Sequence, residues 1–190
     1  MKVLVACEFS GRVRDAFRDL GHDACSCDLL PTESPGRHIQ EDVQSLLHQH
    51  WDMLVAFPPC TYLCNSGVRW LYEKDGRWED MRRGALFFRS LLEAPTKRIA
   101  VENPIMHRHA KEVIGQDYDQ IIQPYQFGHG ESKATCLWLK NLPKLRPTRN
   151  VRGRKQAILG MVPSKDRAKN RSVTYSGIAR AMATQWGGQV

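Results

Sequence analysis

Met53 to Phe57 is an unbroken apolar run that stops at Pro58-Pro59, with Cys60 immediately after it. So short a run, with no polar alternation, reads as a strand buried on both faces, the habit of a parallel sheet covered by helices above and below. Proline has no N–H for a sheet ladder and fixes its own φ, so the pair must end the strand. Cys60 is then held on a stiff turn at the strand's carboxyl end, the rim where open α/β sheets bind ligands. A nucleophile belongs in such a place. A small buried apolar residue is the ordinary alternative for a cysteine.

The rest of the chain repeats the alternation. Val3 to Ala6 predicts a strand, and Glu8-Phe9-Ser10-Gly11 a turn into a helix over 12–20, with Val13, Ala16, Phe17 and Leu20 on one face and Gly21 as its cap. Ala24 to Cys27 is a second strand ended by Asp28, which completes a βαβ unit. Pro31 to Gly36 is loop, and a short helix is expected over 43–50. A polar loop, Thr61 to Arg77, follows Cys60, and then a helix over 78–92. Arg98 to Val101 predicts a strand ended by Glu102-Asn103-Pro104, again a polar residue and then proline. A helix at 110–114, strands at 120–123 and 135–139, and a helix at 178–186 complete the pattern. The fold class expected is α/β, Rossmann-like, with a mainly parallel sheet and helices on both faces.

With 42% apolar and 25% charged residues among 190, the composition is that of an ordinary soluble globule of one domain. No apolar stretch reaches the ~18–20 residues that span a bilayer. The apolar start, Met1 to Cys7, is too short for a secretory signal, and the expected location is the cytoplasm. The six cysteines are then reduced thiols. Cys25 and Cys27 with Cys60 and Cys64 lack the knuckle spacing of a zinc site, and no metal is expected. Charge is uneven. Lys140 to Arg171 carries eleven Lys/Arg against Asp166 alone, so the segment holds +10 where the whole chain holds +8, and the remainder sums to −2. Such a segment beside a near-neutral domain points to a polyanion partner, nucleic acid first.

The predicted strand ends put Phe9-Ser10-Gly11, Asp28, Asp42, Cys60 and Glu102 on one rim. The first turn has Gly11 but neither companion glycine of G-x-G-x-x-G, which disfavours a pyrophosphate-bearing dinucleotide. An adenosine ligand without phosphate fits better: Asp28 can accept from ribose hydroxyls and Asp42 from an adenine amino group. Turn and helix-cap roles are the alternative for both carboxylates.

Taken together these residues resemble the DNA cytosine-C5 methyltransferases, which use S-adenosylmethionine (SAM). Phe9-Ser10-Gly11 is similar to the family's Phe-x-Gly turn, Glu41-Asp42-Val43 to its Gly-Asp-Ile, and Glu102-Asn103-Pro104 to its Glu-Asn-Val. Pro58-Pro59-Cys60 matches the catalytic Pro-Pro-Cys, and Phe127 to Lys133 loosely resembles a later element in which Lys133 stands for arginine. Arg171 to Ala179 weakly resembles the C-terminal motif. The resemblance implies Cys60, Glu102 and Lys133 as catalytic residues. It places Phe9, Ser10, Gly11, Asp28, Asp42, Pro58 and Ser172 around SAM. It sets Pro59, Asn65, Arg69, Asn103, Pro104, Arg152 and Arg154 toward DNA. Cys60 would add to C6 of cytosine and make C5 able to take a methyl group, while Glu102 holds the N3/N4 edge. A duplex base is unreachable, so a cytosine there would be flipped out, with the 61–77 loop (Arg69, Trp70, Tyr72) as the closing element.

Two departures shape what the resemblance implies. The family's large recognition domain is missing, and the division expected is a catalytic domain over 1–139, a basic segment over 140–171 in its place, and a C-terminal helix region over 172–190. Phosphate contacts carry little sequence information, so relaxed specificity or a partner protein that supplies it is expected. Arg171-Ser172 also stands where the family has asparagine. A basic group there suits a carboxylate on a modified SAM and a larger group placed on C5. The missing domain also leaves room for modification of a free pyrimidine nucleotide, and the basic segment for a non-catalytic DNA-binding or decoy protein. The compact motifs fit a phage origin and hence a host cytoplasm.

Overall fold

The computed structural model describes residues 1–153, 155 and 167–188. In chain order the elements are β1 (Lys2–Ala6), α1 (Arg12–Arg18), β2 (Asp23–Cys27), β3 (His38–Ile39), β4 (Met53–Ala56), α2 (Trp70–Glu73) and α3 (Arg77–Leu92). They are followed by β5 (Arg98–Pro104), α4 (Arg108–Ile114), β6 (Gln120–Ile122), β7 (Thr135–Lys140), α5 (Arg167–Ser172) and α6 (Ser176–Gly187). The strands make one seven-stranded sheet in the order β3-β2-β1-β4-β5-β7-β6. Its first five strands are parallel, and β7 runs antiparallel to both β5 and β6.

Alternate residues of each strand face opposite layers. Val3, Val5, Met53, Val55, Ala100 and Leu137 join Val13 and Phe17 of α1 and Ile178, Met182 and Trp186 of α6 in one buried cluster. Leu4, Ala6, Leu54, Ala56, Ile99, Val101 and Trp138 join Met81, Ala85 and Phe88 of α3 and Ala110 and Ile114 of α4 in the other. This is the two-sided burial expected of the Met53–Phe57 run. Every residue of β4 is buried.

Strand β4 stops first. Its last partner across β5 is Ala56 to Val101, and Pro58-Pro59 carries the chain away. Strand β5 runs on, with Glu102, Asn103 and Pro104 paired to Leu137, Cys136 and Thr135 of β7. The expected strand end at Val101 is thus three residues short, because the antiparallel neighbour continues the ladder where the parallel one has ended. Pro104 closes β5 at the last position with a partner. Glu102 still reaches the rim, since it stands beyond the end of β4.

Three further expectations are corrected. Helix α1 ends at Arg18, and Leu20 is 47% exposed in the turn led by Gly21 (φ 81°) instead of on the buried face. The helix expected over 43–50 is only a 3-10 turn, Val43–Ser45, followed by further hydrogen-bonded turns. Trp51 Nε1 takes the Leu46 carbonyl at 2.9 Å, an acceptor that a longer helix would use. The 61–77 segment is not plain loop, since it holds the 3-10 turn Asn65–Gly67 and α2.

The start of the basic segment is fastened to the domain. Leu145 is buried, Gln120 exchanges two hydrogen bonds with its backbone, and Trp186 Nε1 donates to Pro143 O at 2.9 Å. Gln185 pairs in the same way with the Arg146 backbone. No helix among the described residues is long and apolar enough to cross a membrane.

Candidate active site

Strand order reverses between β1 and β4, and the crevice at such a switch point is where open α/β sheets bind ligands. The β1 side of this crevice is built around Glu8. It is buried, accepts from the Ser10 hydroxyl, and takes the Arg12 N–H at 3.0 Å, so a carboxylate from the turn caps α1. The N-cap residue itself, Gly11, has no side chain to do so and lies at φ 76°. A Cβ on Gly11 would stand 2.5 Å from Arg14 Nη2. That guanidinium is fully buried beneath the turn, donating to Asp15, Ser26, Thr32 and the Ser34 and Pro35 carbonyls. It fills the space under a turn that lacks the companion glycines.

Ser10, expected at the cofactor, thus spends its hydroxyl on Glu8. Phe9 is buried, with Lys169 Nζ 5.3 Å from its ring centroid. Glu8 Oε2 has no hydrogen-bond partner although it is buried, and burial raises the Glu8 pKa against the pull of Ser10, Arg14 and Arg12. Asp28 and Asp42 both act on Cys7, whose thiol is pushed up first by burial and then by the two carboxylates. They therefore share the crevice at the end of β1. Each also serves its own turn: Asp28 accepts from Leu30 N–H at 2.9 Å, and Asp42 caps the 3-10 turn through Gln44 N–H at 3.0 Å.

The β4 side carries Cys60. Asn103, fully buried on β5, donates from Nδ2 to Pro58 O at 3.0 Å and so ties the proline turn to the neighbouring strand. Its Oδ1 has no partner. The Cys60 carbonyl accepts the N–H groups of Leu63 and Cys64, both at 3.0 Å, which fixes Cys60 at the head of a helical turn. Its thiol is raised by the nearby Cys64 sulfur, by burial and by Glu102, with Lys133 opposing. Glu102 is half-buried, and desolvation raises its pKa against Lys133 and the Thr135 hydroxyl. Cys60, Glu102 and Lys133 thus lie within one electrostatic neighbourhood, though they come from a turn, a strand and a loop. Lys133 is held at both ends, its N–H on Gln123 at 2.9 Å and its Nζ on Arg171 O at 2.7 Å.

The 61–77 segment is pinned. Asn65 N–H bonds to Ile105 O at 2.9 Å, Cys64 pairs with Met106, and Tyr72 Oη meets His109 Nε2 at 3.0 Å. Arg69 and Lys74 stand 4.3 and 4.5 Å from the Trp70 ring, so that indole is committed to two cations. Tyr72 remains 67% exposed beside the partly exposed Trp78.

The residues expected toward DNA are less gathered. Pro59, Asn65, Arg69 and Arg152 are exposed, Pro104 is half-buried at the end of β5, and Arg154 lies outside the described residues. Ser172 is exposed, and its hydroxyl bonds to Lys169 O within α5. From that end of the chain the structure brings other groups to the crevice. Lys169 pairs with Glu33 at 2.6 Å, Thr174 O accepts from Arg12 at 3.2 Å, and Tyr175 donates to Glu131 at 2.6 Å.

Sequence reasoning missed Glu8, Cys64, Lys169 and Tyr175. Glu8 had a signal, a carboxylate four residues before the first helical N–H it caps. The others are placed by long-range packing that leaves no local pattern. Among the described residues no three His, Cys, Asp or Glu side chains are grouped to hold a metal.

No protein-family profile matches this chain, and no curated protein matches its sequence. Solved structures do. A protein described as a candidate DNA modification methyltransferase from an E. coli prophage superposes with a TM-score of 0.50 at 15% identity, over 86% of this chain and 55% of that one. The Entamoeba histolytica methyltransferase EhMeth gives 0.49 at 14% identity, over 82% and 57%. The S. pombe Dnmt2 methyltransferase gives 0.45 at 15%, over 76% and 51%. The chain spans just over half the length of these structures. Sheet order, the antiparallel β7 and the prophage protein's superposition together show a Rossmann-like SAM-dependent methyltransferase fold.

Proposed function

We propose that the chain transfers a methyl group from SAM to C5 of cytosine in DNA through a covalent bond between Cys60 and C6. The observation that supports this reading is the meeting of Cys60, Glu102 and Lys133 beyond the end of β4, with Asn103 anchoring the proline turn. The β1 crevice suits the cofactor. It offers carboxylates instead of a glycine-rich anion cradle, including a buried Glu8 oxygen with no partner, as a cationic ligand rich in hydroxyls requires. Phe9 to Gly11, Asp28, Asp42, Pro58 and Ser172 would hold it.

SAM, when bound, supplies an electrophilic methyl group. Cys60 adds to C6 and breaks the ring's aromaticity, which makes C5 nucleophilic. Glu102, whose pKa burial raises, would share a proton with N3 and offset the charge that gathers on the ring. Lys133 stands by to hold O2 or a phosphate. The C5 proton then leaves to a base, and Cys60 is expelled. Pro59, Asn65, Arg69, Asn103, Pro104, Arg152 and Arg154 are assigned to DNA, together with the 140–171 segment, whose contacts give affinity and little sequence choice. Specificity is accordingly relaxed or borrowed from a partner protein. Such an enzyme works in the cytoplasm, that of the host if a phage encodes it.

Arg171 favours a second reading, since its charge is felt at Cys64, close to the reacting thiol. A carboxylate on a modified SAM would pair with it. Incubation with SAM and single- or double-stranded DNA, followed by nucleoside mass spectrometry, tests both. 5-Methylcytosine is the expected product. A larger C5 substituent, found only with a carboxylated donor, establishes the second reading instead. Product on free pyrimidine nucleotides alone removes DNA as substrate. Failure to bind SAM in a titration overturns the enzyme and leaves a DNA-binding protein.

A further inference from the structure

Tyr72 on α2, Trp78 at the start of α3 and His109 on α4 make one aromatic cluster. The Tyr72 and Trp78 rings meet edge to face with centroids 5.5 Å apart, and those of Trp78 and His109 at 5.0 Å. Tyr72 Oη also bonds to His109 Nε2 at 3.0 Å. Rings interlocked in this way are the habit of a core, yet Tyr72 is exposed and Trp78 is 43% exposed. Beside them the first turns of α3 and α4 leave a cleft of about 300 Å³. Trp78, Glu79, Met81 and Arg82 line it from one helix, His109 and Glu112 from the other. That volume is at the small end of ligand pockets. The cluster is tied to the turn that Cys60 heads. His107, its ring centroid 5.9 Å from that of His109, donates its backbone N–H to Leu63 O and its Nε2 to Tyr62 O, both at 3.1 Å. Cys64 pairs with Met106 next to it.

The chemistry of the cleft selects its occupant. Arg82 repels a cation, and Glu79 and Glu112 repel an anion. An uncharged planar ring with donors and acceptors along its edge suits all of them. It finds aromatic rings to stack on, carboxylates that accept from amino N–H groups, and a guanidinium that donates to ring nitrogens or carbonyl oxygens. A nucleobase has that form. We infer that the Tyr72–Trp78–His109 cluster and its cleft hold one unpaired base of a nucleic-acid strand, beside the nucleotide at Cys60. The inference rests on the proposed DNA substrate. The chain's charge of +8 favours a base carried on a polyanion over a free one. Arg69 and Lys74, on either side of α2, offer cations for the phosphates of that strand. A base paired in a duplex hides its faces in the stack, so the site serves single-stranded DNA ahead of the duplex.

Fluorescence anisotropy of the intact chain tests this, with a labelled DNA single strand of about 16 nucleotides and with its duplex, both without SAM. The single strand should bind more tightly. Trp78→Ala should weaken it about tenfold or more, the usual cost of a lost base stack, and weaken the duplex by no more than about twofold. Trp78→Phe keeps a stacking ring and should restore most of the loss. A wholly abasic strand of the same length should bind the native chain more weakly, a comparison that needs no variant. On that strand native and Trp78→Ala chains should bind alike, since neither has a base to stack. Equal losses on strand and duplex, a Trp78→Ala loss that persists on the abasic strand, or abasic binding as tight as that of the ordinary strand overturns the inference. So does failure of the native chain to bind any of the three. The measurement needs no turnover. The expected pattern alongside absent 5-methylcytosine would sink the proposed reaction and leave the base site standing. 5-Methylcytosine made by a chain whose strand binding ignores Trp78 would do the opposite.

Discussion

Cys25, Cys27 and Cys136 are buried in the sheet, whereas Cys60 and Cys64 sit on a turn past a strand end. Desolvation is the first cause of every shift in the sheet set, and it pushes Cys27 to about 11 and Cys136 to about 12. These thiols are apolar filling. In the turn pair the first cause is the other sulfur, and one member falls to about 5. The difference is one of hydrogen-bond supply. Strand backbone donors are spent on the ladder, while the Cys64 sulfur on the turn meets the Ser66 hydroxyl at 3.2 Å.

The largest expected effect is at Cys60. Cys60→Ala should lower turnover about a thousandfold or more, as removing a nucleophile does, with SAM affinity retained in a titration. Retained turnover would place Cys60 with the sheet thiols. Next is Glu102→Gln, for which loss of a proton donor costs roughly 10²–10⁴ in rate. Its effect on stability has the opposite sign. Burial raises the Glu102 pKa in the folded state, so folding binds a proton that the unfolded chain has released above about pH 4. That contribution is present at low pH and lost as pH rises through the folded value. Glutamine does not ionise, so the variant should melt higher than the native chain at pH 7 and at the same temperature below about pH 4. A melt lower at both pH values would show that the carboxylate is structurally required.

How much was legible follows from where the forces are local. The apolar run and Pro58-Pro59 specify β4 and the place of Cys60 within a few residues, because burial and φ restriction act along the chain. Asp28 and Asp42 came to the crevice for the same reason, each ending an element. The length of β5 was not legible, since its last three residues have partners only on β7, more than thirty positions later. Leu20 was misplaced because a helical period says nothing of where the helix stops. Lys133 was reachable by motif, yet its clamp on the Arg171 carbonyl links groups 38 positions apart. Cys64 was visible only as one of six cysteines and as a zinc ligand set aside on spacing. Its four-residue spacing from Cys60 acquires meaning once Pro58-Pro59 is followed by a helical turn.

A smaller effect belongs to the sheet thiols. Cys136→Ser sets a hydroxyl where a fully buried sulfur lay, and a buried polar group without a partner costs about 1–3 kcal/mol. The loss should appear as a lower denaturation midpoint with an unchanged m-value. Cys27→Ser should cost somewhat less, because the Glu41 carbonyl that now takes the Cys27 thiol at 3.3 Å offers its hydroxyl a partner. Equal costs would mean that this contact contributes nothing.

The smallest effect is expected of Cys64→Ala in a denaturant melt. Cys64 is half-buried, its backbone bonds to Cys60 and Gly67 are untouched by the change, and its sulfur contacts Ser66 at the surface. Truncation there falls in the range of surface substitutions, within about 0.5 kcal/mol. Stability and chemistry are then distributed oppositely among the cysteines. The thiols that matter most to folding fill the sheet, and the one whose loss the fold barely registers stands on the turn that Cys60 heads. A cost above about 2 kcal/mol for Cys64→Ala would break that opposition, since it would show the pair to be a packing element of the turn like the thiols of the sheet.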